Sequence, residues 1–264
     1  MDHPFDALPL AACYVIFVAI FALSLELGYQ LGRFKSQSTE SAKKTSSSGI
    51  LTAILALLAF MLAFTFGSAT SRFDARKQLV FAEANVIKTT YLRTDLLPES
   101  YQDQARNMLR TYAETRLATT QPGQSKQDVL QHLDTSEQLL NAIWAQAVAV
   151  SAETNHSTRG PRLYLTSAND LIDMNGKRVA VGLKNRIPVS IIATLMALAV
   201  LSMLLRGYKA GQSGSDRELF AATLLILSFS LVLLLIIDLD RPMSGKRLVG
   251  VSQQAMVDLI EDMK

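Results

Sequence analysis

The sequence contains few of the side chains from which enzyme active sites and metal centres are usually built. It has one cysteine, Cys13, so no disulfide can form within the chain. Its three histidines lie far apart in sequence and are expected to be surface residues instead of metal ligands: His3, His132 and His156. No GxSxG, HExxH or phosphate-binding glycine loop occurs. We therefore expect no catalytic residues, no bound metal and no cofactor.

A strong excess of charge of one sign is also missing. The chain carries 26 basic and 23 acidic residues, which gives a net charge of +3. The basic residues lie mostly near the ends of apolar segments instead of alternating with aromatic residues along a stripe. This distribution is not typical of nucleic-acid binding, whereas anionic lipid headgroups favour it. We therefore expect a lipid bilayer, and no nucleic acid, as a partner.

What the sequence does contain is four long apolar segments, two on each side of a large polar region: 8–27, 50–67, 187–205 and 219–237. A helix needs about 20 apolar residues to cross the hydrocarbon core of a bilayer, and it satisfies its own backbone polar groups there. The N-terminus lacks the positive region of a signal peptide, so we expect the first segment to remain as a helix. These features predict a multi-pass membrane protein.

The polar region between the second and third apolar segments has the periodicity of helices. No proline occurs between Gly67 and Pro98, so we expect helix two to continue well beyond the bilayer. Further helices are predicted from Pro98 to about Thr119, over 125–152, over 161–184 and near 253–263. Helix three is predicted to end at Arg206-Gly207, before a short loop.

The predicted fold is therefore all-α, with a four-helix transmembrane domain whose helices extend into a helical extramembrane domain. The expected divisions are helices one and two with their short polar loop (1–67), the helical domain (68–186), helices three and four (187–240) and a C-terminal tail (241–264). Because the number of spans is even, the helical domain and both termini share one side. The charge bias leaves open which side this is, since basic residues lie near both membrane surfaces.

Glu26 is an acidic residue inside the first apolar helix, about two turns before Arg33. Charged groups at membrane depth are costly and are functional candidates by default. The sequence leaves two interpretations open. Glu26 either pairs with a basic residue at the same level, for which Arg206 and Arg217 are the candidates, or takes part in ion passage.

Helix two is the best candidate for a pore-lining helix. Phe60 and Phe64 lie four residues apart on one face, and Ser68 and Ser71 continue it. Such a face could form a hydrophobic constriction that opens into a hydroxyl-lined mouth. Ordinary aromatic packing against helices or lipid is the alternative. Small residues in the same region would also suit close helix packing: Thr65, Gly67 and Thr70.

Charged residues follow where helices two and four leave the membrane. The candidates for a charged pore mouth are Arg72, Asp74, Arg76, Asp238 and Asp240. A ring of such charges would concentrate or repel ions. Some of these residues could instead form structural ion pairs, and Arg72 or Arg186 with Asp238 is the pairing that we expect.

The chain resembles the bestrophin-like family of bacterial membrane proteins of unknown function. The resemblance covers nearly the whole chain and rests on FTFGSATSRFDARKQLVFAEANVIKTTYLRTDLLP (64–98), KRVAVGLKNRIP (177–188) and DLDRPMSG (238–245). It is more distantly similar to bestrophins, which are pentameric anion channels with the second helix around the pore. This resemblance implies a pentamer in the bacterial inner membrane, with Phe60 and Phe64 in the neck and the helical domain in the cytoplasm. The turn after helix four holds calcium in animal bestrophins, but here bases replace the expected acids in DLDRPMSGKR.

The leading hypothesis is therefore an oligomeric ion channel for small ions, with helix two around the axis. Anion selectivity is implied by the resemblance alone. The alternative is a membrane sensor or scaffold whose helical domain binds a partner or signal, which needs no conducting path. A transporter ranks third, because helices two and four lack the central breaks typical of a midplane binding site.

Overall fold

The structure is a computed structural model that describes residues 8–38, 47–121, 124–153, 159–213, 219–241 and 249–264. The chain forms two compact units. The first unit comprises Met1–Ser71 and Arg186–Arg241, and the second comprises Arg72–Asn185 and Pro242–Lys264. All regular elements in the described ranges are helical, which confirms the predicted all-α class.

Eight α-helices occur in the described part of the chain: α1 (Leu10–Ser38), α2 (Ser47–Leu92), α3 (Glu99–Ala118), α4 (Lys126–Glu153), α5 (Arg159–Val179), α6 (Val189–Ser213), α7 (Leu219–Asp240) and α8 (Gln254–Asp262). A 3-10 turn at Arg93–Leu96 follows α2, and a π-helical turn at Ala180–Lys184 follows α5. The predicted long helix two is confirmed, since α2 has 46 residues without a break. Pro98 lies at the N-cap of α3, where its missing N–H costs little.

Four of the described helices are long and apolar enough to cross a membrane: Leu10–Ser36, Gly49–Leu96, Val189–Ser213 and Phe220–Asp240. They are the four predicted from the apolar segments. In α2 the apolar part ends near Gly67, and the helix then continues with polar and charged residues. The same helix contributes residues to both units, which divide after Ser71.

The predicted end of helix three is wrong. We placed it at Arg206-Gly207, but α6 continues as a helix to Ser213. A glycine at this position favours a helix end, but in the structure Gly207 lies within the helix and faces α1. A Cβ atom at Gly207 would overlap the carbonyl oxygen of Leu25, and one at Gly211 would overlap that of Tyr29. The glycines are there because the two backbones touch, as in other membrane helix pairs.

The contact is reciprocal, since α1 presents glycines to α6 at the same level. A Cβ atom at Gly28 would overlap the Leu204 carbonyl oxygen, and one at Gly32 would overlap that of Tyr208. Along this contact, residue numbers increase in the same direction on both helices, so α1 and α6 run parallel. The first helix extends well past the apolar segment 8–27 that predicts it, because α1 ends at Ser38.

The second unit has its own hydrophobic core. Its fully enclosed side chains come from the second part of α2 and from α3, α4, α5 and α8; they include Ile87, Leu109, Tyr112, Ile143, Tyr164, Leu171 and Met256. The short helix α8 is held by Met256, Leu259 and Met263 and by a Lys88–Asp262 ion pair of 2.7 Å. Trp144, the only tryptophan in the sequence, lies partly exposed on α4.

Candidate functional site

One face of α2 in the first unit is not covered by any other part of the described chain. Phe60 and Phe64 are 67% and 68% exposed. Gly67 has open space where a side chain would be, and Ser71 is exposed. Positions 60, 64, 67 and 71 recur at helical spacing, so they form one continuous stripe. Ser68, predicted to share this stripe, is half-buried at its edge.

The opposite face of α2 packs inside the first unit. Leu58, Leu62, Thr65 and Ala69 are buried there. The Thr65 hydroxyl donates to the carbonyl oxygen of Met61 at 2.7 Å, so its polar group is satisfied within the helix. Of the small residues expected at helix contacts, Thr65 is therefore buried and Gly67 faces open space.

The polar continuation of α2 in the second unit also has one open and one enclosed face. Asp74, Gln78 and Asn85 are exposed, as is nearly half of Phe81. The enclosed face carries a buried carboxylate, Glu83, that has no solvent exposure. Glu83 was not singled out from the sequence.

Glu83 is the centre of a buried charge cluster, which we define as Glu83, Arg116, Arg178 and Tyr112. Its Oε1 accepts hydrogen bonds from Arg116 Nε at 2.9 Å and from the Tyr112 hydroxyl at 3.1 Å. Its Oε2 accepts one from Arg178 Nη1. Burial raises the pKa of Tyr112, and the charge of Glu83 raises it further. Burial lowers the pKa of Arg178, and Glu83 opposes that change. The cluster joins α2, α3 and α5 within the second unit.

Asp238 and Asp240, predicted at the pore mouth, are buried at the end of α7, each with 1% exposure. Asp240 accepts hydrogen bonds from Arg186 Nε and from the backbone N–H of Ile187, both at 2.8 Å. The sequence predicts that Arg72 or Arg186 pairs with Asp238; in the structure, Arg186 forms an ion pair with Asp240. The carboxylates of Asp238 and Asp240 are thus buried within their own chain, whereas the side chains on the open face of α2 are exposed.

The neighbouring Arg241 is also enclosed in the first unit. Its Nη2 donates to the carbonyl oxygen of Leu8 at 2.9 Å and lies 3.5 Å from the sulfur of Cys13. Cys13 is 1% exposed and is therefore a small packing residue of the first unit. The remainder of the DLDRPMSGKR turn, from Pro242 to Arg247, lies outside the described residues.

Glu26 is half-buried in α1 and accepts a hydrogen bond from Gln30 Nε2 at 3.1 Å. Arg206, one of its expected partners, lies within α6 instead of a loop. Arg217, the other, lies outside the described residues. Within the described ranges, no group of three or more histidine, cysteine or acidic side chains could hold a metal ion.

Four membrane-length helices, together with a helical unit that has its own core, define a multi-pass α-helical membrane protein. Within this class the chain belongs to the bestrophin-like family, because the profile of the bestrophin-like domain matches residues 17–256. This match confirms the resemblance identified from the sequence.

Solved structures share the fold. A bacterial bestrophin homologue from Klebsiella pneumoniae, crystallised as a mutant, matches with a TM-score of 0.69 at 13% identity, covering 96% of this chain and 96% of that chain. Another crystal structure of a bestrophin homologue from the same organism gives a TM-score of 0.67 at 13% identity, again covering 96% of each chain. No curated protein matches the sequence.

Proposed function

We propose that this chain is the subunit of a homo-oligomeric ion channel whose pore is lined by the open face of α2. The observation that carries the proposal is the stripe Phe60, Phe64, Gly67 and Ser71, which the described chain leaves uncovered. The bestrophin-like family supports an assembly around an axis, and the resemblance to bestrophins implies five copies in a bacterial inner membrane. In such an assembly, each residue of the stripe is repeated as a ring.

The chemistry of the stripe suits a gated water path. Two rings of phenylalanine one helical turn apart would form a constriction that excludes water until the pore widens. Gly67 adds no bulk beyond it, and Ser71 offers hydroxyl groups to water and ions. Ser71 lies just beyond the apolar part of α2, where its hydroxyl suits the mouth of a pore, whereas the phenylalanines alone would suit lipid equally well.

Current across a planar bilayer tests the proposal. Purified full-length protein, shown to be folded and inserted, should carry current under a KCl gradient. Silence across voltage, pH and calcium concentration would contradict a channel. It would favour the sensor or scaffold, which needs no conducting path.

Removing aromatic side chains from the constriction should widen the pore. Phe64→Ala removes a ring of aromatic side chains, so we expect a higher single-channel conductance than in the wild type, and Phe60→Ala should act in the same direction. Phe220→Ala is the matched control, because Phe220 is 79% exposed on α7 and is not on the proposed pore face. If neither α2 variant changes conductance, Phe60 and Phe64 are not in the constriction.

A further inference from the structure

The buried charge cluster of the second unit contains more positive than negative charge. Glu83 supplies one negative charge, whereas Arg116 and Arg178 supply two positive charges. Tyr112 is neutral, because burial and the charge of Glu83 both raise its pKa. The cluster therefore holds one guanidinium charge that its carboxylate does not balance.

The carboxylate groups of the second unit leave this excess charge in place. Within the described ranges, the carboxylate that pairs with Arg116 and with Arg178 is the same one, that of Glu83. The parts of the second unit outside those ranges contain no aspartate or glutamate. Burial lowers the pKa of Arg178, and the neighbouring charge of Arg116 lowers it further, although Glu83 opposes both effects. The two guanidinium groups thus repel each other in a site that has one counter-charge.

Arg116 also has a hydrogen-bond donor that the cluster does not use. Its Nε donates to Glu83 Oε1 at 2.9 Å, but its Nη1 is buried and has no hydrogen-bond partner among the described residues. The residue is only 4% exposed, so bulk water does not solvate this group. A buried donor without an acceptor is costly, and an arginine cannot remove the cost by losing its proton. An acceptor with a negative charge would satisfy the donor and also balance the cluster.

The enclosure of the cluster limits the size of such an acceptor. Glu83 and Tyr112 have no solvent exposure, and the side chain of Arg178 is 11% exposed, which leaves one edge of the cluster accessible. A halide ion is small and spherical, and it accepts hydrogen bonds from any direction. A water molecule would satisfy the donor but would leave the charge unbalanced, which is the larger cost in a buried site.

We propose that the buried charge cluster binds one halide ion at Arg116 Nη1 and that this ion stabilises the second unit. Glu83 lies on the enclosed face of α2, so the bound ion is separate from any ion that passes along the open face. The site makes the stability of the second unit depend on the halide concentration. It does not require that the chain be a channel.

The test is the midpoint of thermal unfolding of purified full-length protein in detergent, measured by calorimetry. Potassium chloride is compared with potassium gluconate at equal ionic strength, so that both salts screen charges equally. Gluconate is too large for the enclosed site. With chloride at about 100 times its dissociation constant, the midpoint should be roughly 5 °C higher than in gluconate.

Arg116→Met removes the unused donor and leaves Glu83 balanced by Arg178, so its midpoint should be the same in both salts. Arg110→Met is the matched control. It removes a partly exposed arginine of the same helix, which pairs with Glu114 on the surface, and it should keep the chloride dependence of the wild type. Arg178→Met, which balances Glu83 with Arg116 alone, should lose most of that dependence and is a second test if Arg116→Met does not fold.

Bromide locates the ion directly, because it scatters X-rays anomalously. Wild-type crystals grown in bromide should show an anomalous peak within hydrogen-bond distance of Arg116 Nη1. A missing peak would overturn the site, as would a chloride dependence that both arginine variants of the cluster retain. Equal midpoints of the wild type in chloride and gluconate would overturn it even if the peak is present, since the ion would then bind at crystal concentration only.

Discussion

Replacing Glu83 by glutamine is expected to lower the free energy of unfolding by about 3–5 kcal/mol, the typical cost of breaking a buried ion pair from one side. The glutamine keeps the shape of the side chain but removes its charge. The guanidinium groups of Arg116 and Arg178 would then lie close together in a buried site without a counter-charge. Tyr112 would lose a charged acceptor for its hydroxyl. The melting temperature in detergent should fall by roughly 10 °C.

Two further variants show whether charge balance is the cause. Glu83→Gln combined with Arg178→Met should recover part of the lost stability, because it removes one of the two uncompensated charges. Glu114→Gln is the control, since Glu114 pairs with Arg110 on the surface at 3.3 Å. Its loss should change stability by less than about 0.5 kcal/mol. A Glu83→Gln protein that melts like the wild type would contradict a stabilising role for the cluster.

The second large effect is expected at the contact between α1 and α6. Gly32→Ala should destabilise the first unit by about 1–3 kcal/mol or more, because the new methyl group overlaps backbone atoms of Tyr208 that cannot rotate away. Gly32→Ala together with Gly207→Ala should cost more than either change alone, since the methyl groups force the same two helices apart from both sides.

The matched control is Gly49→Ala in α2, where a Cβ atom meets no neighbour within 4 Å in the described chain. The same methyl group should there be neutral or slightly stabilising, because alanine favours a helix over glycine. The measurement is the fraction of protein that stays monodisperse after heating in detergent. Equal heat resistance of the Gly32 and Gly49 variants would show that the helices separate without cost.

Much of the fold can be predicted from the lengths of the apolar segments and the positions of helix-breaking residues. Four apolar segments of membrane length predict the four spans, and the absence of proline before Pro98 predicts the length of α2. The end of α6 could not be predicted in the same way. Gly207 has the same identity whether it ends a helix or lets another backbone approach, and the choice depends on Leu25, which is 182 positions away in the sequence.

The candidate site shows the same limit. The same apolar residue types face lipid and line hydrophobic pores. Phe60 and Phe64 could therefore be proposed as pore residues from the sequence, but their exposure could not be derived from it. The buried cluster had a weak signal, since Glu83 shares a helical face with the apolar residues Val80 and Ile87. Its partners lie on α3 and α5, and no local pattern joins them to α2. The burial of Asp238 and Asp240 likewise depends on contacts that spacing along the chain does not reveal.

The single tryptophan has a practical consequence. Trp144 lies on α4 in the second unit, and no other indole exists in the chain. Intrinsic indole emission therefore monitors the second unit alone, and the first unit is silent at that wavelength. Glu83→Gln, which disrupts the buried charge cluster of the second unit, should change the emission spectrum. Gly32→Ala, which forces α1 and α6 apart in the first unit, should leave the spectrum unchanged until the second unit itself unfolds. The chain thus contains a natural optical probe that distinguishes damage in one unit from damage in the other.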